Sequence, residues 1–180
     1  MSTQTASKWA IDAAHSEIGF KVKHLMISNV SGKFDKFEGT IESTADDFAG
    51  AKIGFTAETA SVDTGNAQRD GHLQSPDFFD SVKFPQLKFI STKFEKVSGE
   101  KYVLSGDLTI RDVTKPVKLD VEFLGLATDP YNNTKAGFSI TGKINRTDYG
   151  LNWNAALEAG GVLVSEEIKL QIEVQVVKQV

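Results

Sequence analysis

The sequence contains no cysteine among its 180 residues, which removes disulfides, thiolate metal sites and cysteine nucleophiles at once. Histidine is scarce too: His15, His24 and His72 are the whole supply. No stretch approaches the ~18 apolar residues of a membrane-spanning helix. The start of the chain, Met1 to Trp9, lacks the apolar run of a secretory signal. A cytoplasmic location is expected on that ground, or a periplasmic one if the chain is a trimmed mature form. Prolines number four and never gather into a linker. Basic residues total 20 against 24 acidic ones, for a net charge of −4. That balance argues against a nucleic-acid partner, which calls for a clustered basic face. It also weakens docking on an anionic membrane by charge alone, and the lack of a long apolar run argues against stable membrane insertion.

What the chain does have is alternation with a period of two, the mark of strands with one apolar face. Ile168, Leu170, Ile172, Val174 and Val176 alternate with Lys169, Gln171, Glu173 and Gln175. The same rhythm runs through Tyr102–Ile110, Val117–Phe123, Ala136–Ile144 and Ile18–Val22. In Gly32–Glu42 the apolar phase slips between Phe34 and Phe37, and a β-bulge is expected near Asp35 and Lys36. Lys52–Ser61 and Gln86–Lys93 complete a set of eight strands. One domain over residues 1–180 is expected, with residues 1–7 as a flexible N-terminus.

Asn66 to Asp80 breaks the rhythm. A short helix is expected around Ala67–Gln74 and a further turn around Pro76–Asp80, introduced by Ser75 as N-cap. Small helical turns are also expected at Leu25–Asn29 and Asn154–Glu158. The fold class is therefore all-β. An eight-stranded antiparallel up-and-down barrel leaves no exposed edge; a flattened sandwich is the other option. Eight strands can enclose either packed side chains or one ligand. Gly39, Gly54, Gly106 and Gly142 interrupt the apolar rows, as either a lumen with a guest or a sharply coiled strand would require.

Catalysis finds little support in the residues. The three histidines lie in unrelated local contexts, and no Gly-x-Ser-x-Gly elbow accompanies them. Neither an i, i+4 histidine pair nor a Glu-x-x-His spacing points to a metal. No catalytic residue, metal or cofactor is expected. Should the chain be an enzyme on a hydrophobic substrate, His15, His72 and Asp70 are the groups to test. Arg146 is either a loop-closing partner of a nearby acid or a cation at a barrel mouth. A barrel filled by its own side chains, serving a stress-related interaction, is a further alternative.

Several blocks carry a family resemblance. They include Trp9-Ala10-Ile11-Asp12 with His15-Ser16, Phe20-Lys21-Val22-Lys23-His24, and Ser61-Val62-Asp63-Thr64-Gly65. The most specific is Arg69-Asp70-Gly71-His72-Leu73-Gln74-Ser75-Pro76-Asp77-Phe78-Phe79-Asp80. Gly106 to Val117 and Ile144 to Leu151 follow in order. Together they resemble the YceI-like family of bacterial polyisoprenoid-binding proteins, over nearly the whole chain. The resemblance implies a lipocalin-like barrel with a helix across it. It implies a bound polyisoprenoid-type lipid, polyprenyl or quinone-like, which the barrel sequesters or carries in an apolar tunnel. A homodimer is implied as well. Many members carry a secretory signal, of which Met1 to Trp9 show no apolar run, and Gly often stands where this chain has Asp112.

The tunnel is assigned by strand face, as Phe20, Val22, Phe37, Ile41, Phe55, Phe89, Leu104, Leu108, Val121, Phe123, Phe138, Ile140, Gly142, Leu170 and Ile172. His15, Arg69, Asp70, His72 and Arg146 are the candidates for its rim and for a lipid head group. Asn66–Asp80 is the candidate lid.

Overall fold

The computed structural model describes residues 6–25, 27–44, 48–154 and 164–179. The strands are β1 (Ser7–Ile11), β2 (Glu17–His24), β3 (Ser28–Phe34), β4 (Phe37–Ser43), β5 (Lys52–Glu58) and β6 (Val62–Asp63), followed by β7 (Gln86–Ser98), β8 (Lys101–Ile110), β9 (Val113–Thr128), β10 (Thr134–Asn145) and β11 (Val164–Lys178). Among the described residues one α-helix, α1 (Ala67–Leu73), lies between β6 and β7. Every pairing is antiparallel, and β1 pairs with both β4 and β11, so the sheet closes on itself.

These pieces are eight long strands, three of them broken once. β1 and β2 form one strand interrupted at Asp12, whose side chain accepts a hydrogen bond from Ala14 N at 3.2 Å and starts a single 3-10 turn. β3 and β4 form the second, broken at Asp35 and Lys36; β5 and β6 form the third, broken at Thr59–Ser61. The last two breaks are bonded together, with Asp35 N donating to Ser61 O and Glu58 N to Lys36 O. The expected eight-stranded up-and-down barrel is thus the observed fold, since neighbours around the ring are neighbours in sequence. The phase slip at Asp35 marks a break in the strand.

Helix α1 begins where expected. Asn66 caps it by accepting from Arg69 N at 3.0 Å. The further turn around Pro76–Asp80 is there as well, opened by Ser75: its hydroxyl accepts from Asp77 N at 3.3 Å, and Phe78 N donates to Ser75 O. The helical turn expected at Leu25–Asn29 gives way to a hairpin, because β3 already starts at Ser28. Most of Asn154–Glu158 lies outside the described residues.

The two ends of the barrel differ. At one end, Trp9, Phe48, Phe94, Tyr102, Phe123 and Phe138 form a solid aromatic plug. Phe48 lies 5.0 Å from Trp9 and 5.2 Å from Phe138, ring centre to ring centre. Outside this plug, Lys135 donates to Asp12 at 2.8 Å, and His15 Nδ1 approaches the same carboxylate at 2.8 Å. The Lys135 hydrogen bond, followed by that of His15, holds Asp12 down to about 2 from 3.8. A carboxyl whose folded pKa lies below its unfolded value stabilises the fold above the unfolded pKa. That stability should be present above pH 3.8 and be lost as the pH falls towards about 2. Asp12→Asn should cost about 1–2 kcal/mol at neutral pH and flatten the acid limb of the stability curve. Urea denaturation of both proteins from pH 7 downwards measures it.

Candidate functional site

Beyond the plug the barrel is hollow. Inward-facing rows enclose a cavity of about 810 Å³, within the ~300–1,000 Å³ range of ligand pockets. Strand β2 contributes Phe20 and Val22 to its wall, β4 contributes Ile41, and β5 contributes Phe55. Phe89 comes from β7, Leu104 and Leu108 from β8, and Val121 from β9. Phe138 and Ile140 project from β10, and Leu170 and Ile172 from β11. Three residues assigned to the tunnel by face do not reach the wall. Phe37 packs 6.3 Å from Phe55, and Phe123 belongs to the plug, 5.3 Å from Phe138.

Gly142 is the instructive one. It shares the inward face of Phe138 and Ile140, yet a Cβ built on it would collide with the Leu119 side chain. The niche left by glycine is filled by a neighbouring side chain. Gly106 does the same for the Phe89 ring and Gly39 for Ile11. These glycines let side chains cross between strands, whereas Gly54 faces Thr40 on the other side of the sheet.

The end opposite the plug carries the polar groups. Arg69, His72 and Arg146 all line the cavity there, together with His24 and Trp153. Arg69 donates from Nε to the Thr64 hydroxyl at 2.8 Å and from Nη2 to Thr64 O at 2.9 Å. His72 Nε2 lies 2.8 Å from Asp77, and its ring meets Trp153 edge to face at 4.6 Å. His15 stands at the plugged end against Asp12. Asp70 spends its carboxylate on the backbone N–H and hydroxyl of Thr64 and does not line the cavity. His15, His72 and Asp70 are therefore not brought together. Among the described residues, no three His, Asp or Glu side chains gather closely enough to hold a metal ion.

Arg146 closes a loop, but with carbonyls in place of the acid. It is 4% exposed. Nε donates to Ser165 O at 2.9 Å, Nη1 to Leu151 O and Trp153 O at 2.6 and 2.9 Å, and Nη2 to Val164 O at 3.2 Å. Asn154 pairs in both directions with the backbone of Val164 and fastens the same segment. Burial pulls the Arg146 pKa below the usual arginine value, and Glu166 opposes that shift. A guanidinium fork can hold several carbonyls where an ammonium reaches fewer. Arg146→Lys should cost about 2–3 kcal/mol, read as a lower urea midpoint.

Several wall residues escaped the sequence. Ile18 and Leu119 continue rows already visible in β2 and β9, so their alternation could have found them. Phe48, Phe78 and Trp153 sit in loops, where periodicity gives no signal.

Comparison with known proteins follows the whole barrel. A UPF0312 protein of Staphylococcus aureus is 40% identical over 166 residues, covering 92% of this chain and 94% of that protein. The Campylobacter jejuni YceI crystal structure is similar at 37% identity with a TM-score of 0.75, and covers 100% of both chains. A polyisoprenoid-binding domain from Saccharophagus degradans, 17% identical, shares the fold with a TM-score of 0.67 over 95% of this chain and 98% of its own. The YceI-like domain model matches residues 9–176, from the first strand of the barrel to the last, and this chain belongs to the YceI-like family.

Proposed function

We propose that the protein binds one long-chain isoprenoid-type amphiphile, tail in the cavity and head at the polar end, and sequesters or carries it without chemical change. The observation that supports this most is the hollow apolar bore itself. Its volume of about 810 Å³ is walled almost wholly by apolar side chains. Water finds few hydrogen-bond partners on such walls. An apolar guest takes the place of that poorly bonded water, and a flexible hydrocarbon tail fits a long bore. The Saccharophagus degradans domain of the same fold is itself a polyisoprenoid binder.

The aromatic plug limits how deep a tail can run. Arg69 and His72 supply the few directional groups at the mouth, which is how such sites usually fix orientation, while Arg146 holds the loop beside them. Each isoprene unit gains on the order of 3–4 kcal/mol gross, offset in part by the ordering of a floppy chain. Binding measured across a series of polyprenyl amphiphiles with one head group should tighten with each added unit, then level off once the bore is full. Affinity independent of tail length would remove the tail from the cavity and the proposal with it.

A further inference from the structure

The net charge of −4 conceals an uneven surface. Strand register puts Lys143 opposite Lys169, and Lys169 opposite Lys21, three exposed lysines abreast on the outer face of β10, β11 and β2. Exposed Lys23 and Lys33 stand on the same outer face of the β2–β3 ribbon. Like charges directly opposite one another destabilise a sheet, so folding does not account for this row. Lys143 has Glu167 at 3.9 Å and Lys33 has Asp35 at 3.7 Å. Among the described residues, Lys21, Lys23 and Lys169 have no acid within ion-pair distance. Four residues further from the mouth, Glu17 faces Glu173. The outer face therefore carries unpaired lysines near the mouth and a facing pair of glutamates further from it.

The β2–β3 hairpin adds a second feature at the same place. His24 pairs with Val164, and both line the cavity. Just beyond them the hairpin presents Leu25 and Ile27, which are 40% and 85% exposed. Leu25 has a φ of +54°, a left-handed conformation that a branched residue adopts only at a cost. Apolar side chains at a rim, backed by unpaired cations, are the two ingredients of interfacial membrane binding, each weak alone.

We propose that this end of the barrel docks on an anionic lipid bilayer. Leu25 and Ile27 enter the interface, Lys21, Lys23 and Lys169 meet the anionic head groups, and the cavity mouth is held against the membrane. Docking would let a tail pass between bilayer and bore without crossing water, and so rests on the carrier role proposed above.

Flotation with phosphatidylcholine vesicles containing about one-fifth phosphatidylglycerol tests it, because each lysine near such a surface changes partitioning about fivefold. The wild type should float with these vesicles at low salt, and molar salt should release it as screening shortens to ~3 Å. Lys21→Gln/Lys169→Gln should weaken flotation at least tenfold and melt no lower than the wild type, since it removes like-charge repulsion. Ile27→Asp should weaken it as well. Leu126→Asp is the control: that residue, 55% exposed, lies towards the plugged end and should change nothing. Both mouth variants should still take up detergent-dispersed polyprenyl lipid as the wild type does, but fill slowly from vesicles. Flotation unchanged by the lysine replacements, or lost equally in Leu126→Asp, would overturn the proposal. So would a wild type that ignores anionic vesicles, as expected if the lysine row meets an acidic protein. If the wild type floats, loses flotation through the lysine change and carries no lipid, docking stands and the cargo assignment falls.

Discussion

Ile140→Trp should fold as the wild-type barrel and lose more than nine-tenths of any bound lipid. Ile140 is set between Val121 on β9 and Ile172 on β11, and it remains half-buried because it faces the hollow bore. An indole there enters open volume. The overpacking cost of about 1–3 kcal/mol, which applies in a close-packed core, should therefore be largely absent. Thermal unfolding and lipid extraction from one sample separate the two effects. A variant that melts much lower would mean a filled core at that position. A variant with its full lipid load would move the tail elsewhere. Gly142→Phe is the poorer plug, because its ring must first displace Leu119.

Phe138→Ala should give the largest loss of stability of any single replacement considered, about 3–5 kcal/mol. Phe138 is 4% exposed. Its ring lies 5.2 Å from Phe48, 5.3 Å from Phe123 and 6.5 Å from Phe94, so removing it undoes the plug from its centre. Phe138 also stands on the cavity wall. The same change should therefore deepen the bore and shift the preferred tail to a longer one. Urea denaturation measures the first effect, and competition between short and long polyprenyl amphiphiles the second. A loss below about 1 kcal/mol would mean that the surrounding rings collapse to fill the space.

The eight strands were legible because each lays one face on the bore, which forces the two-residue alternation along its length. The breaks were harder to see. β1 is short, and with only Trp9 and Ile11 to mark its face the alternation gives too little signal for a strand. The slip between Phe34 and Phe37 was visible, but a bulge and a broken strand look alike until the partner strand is known. Here the partner is Ser61, bonded to the backbone of both Asp35 and Lys36.

Much of the cavity wall could be read by face, since alternation determines which side chains share a side. It does not determine how far along the barrel a side chain lies. Phe123 and Phe37 share the inward face and still miss the cavity, one within the plug and the other packed against Phe55. The meaning of Gly142 depended on Leu119, a residue on a different strand. The lysine row was hidden for a related reason: composition sums charge over the chain, whereas Lys143, Lys169 and Lys21 meet only through register.

Native mass spectrometry of protein purified without organic solvent tests the central claim most directly. One long-chain amphiphile should appear as a discrete mass above the 19.6 kDa polypeptide. Organic extraction should remove it, incubation with a polyprenyl amphiphile should restore it, and Ile140→Trp should lack it throughout. A wild-type protein that keeps the bare polypeptide mass, both as purified and after that incubation, would contradict the account.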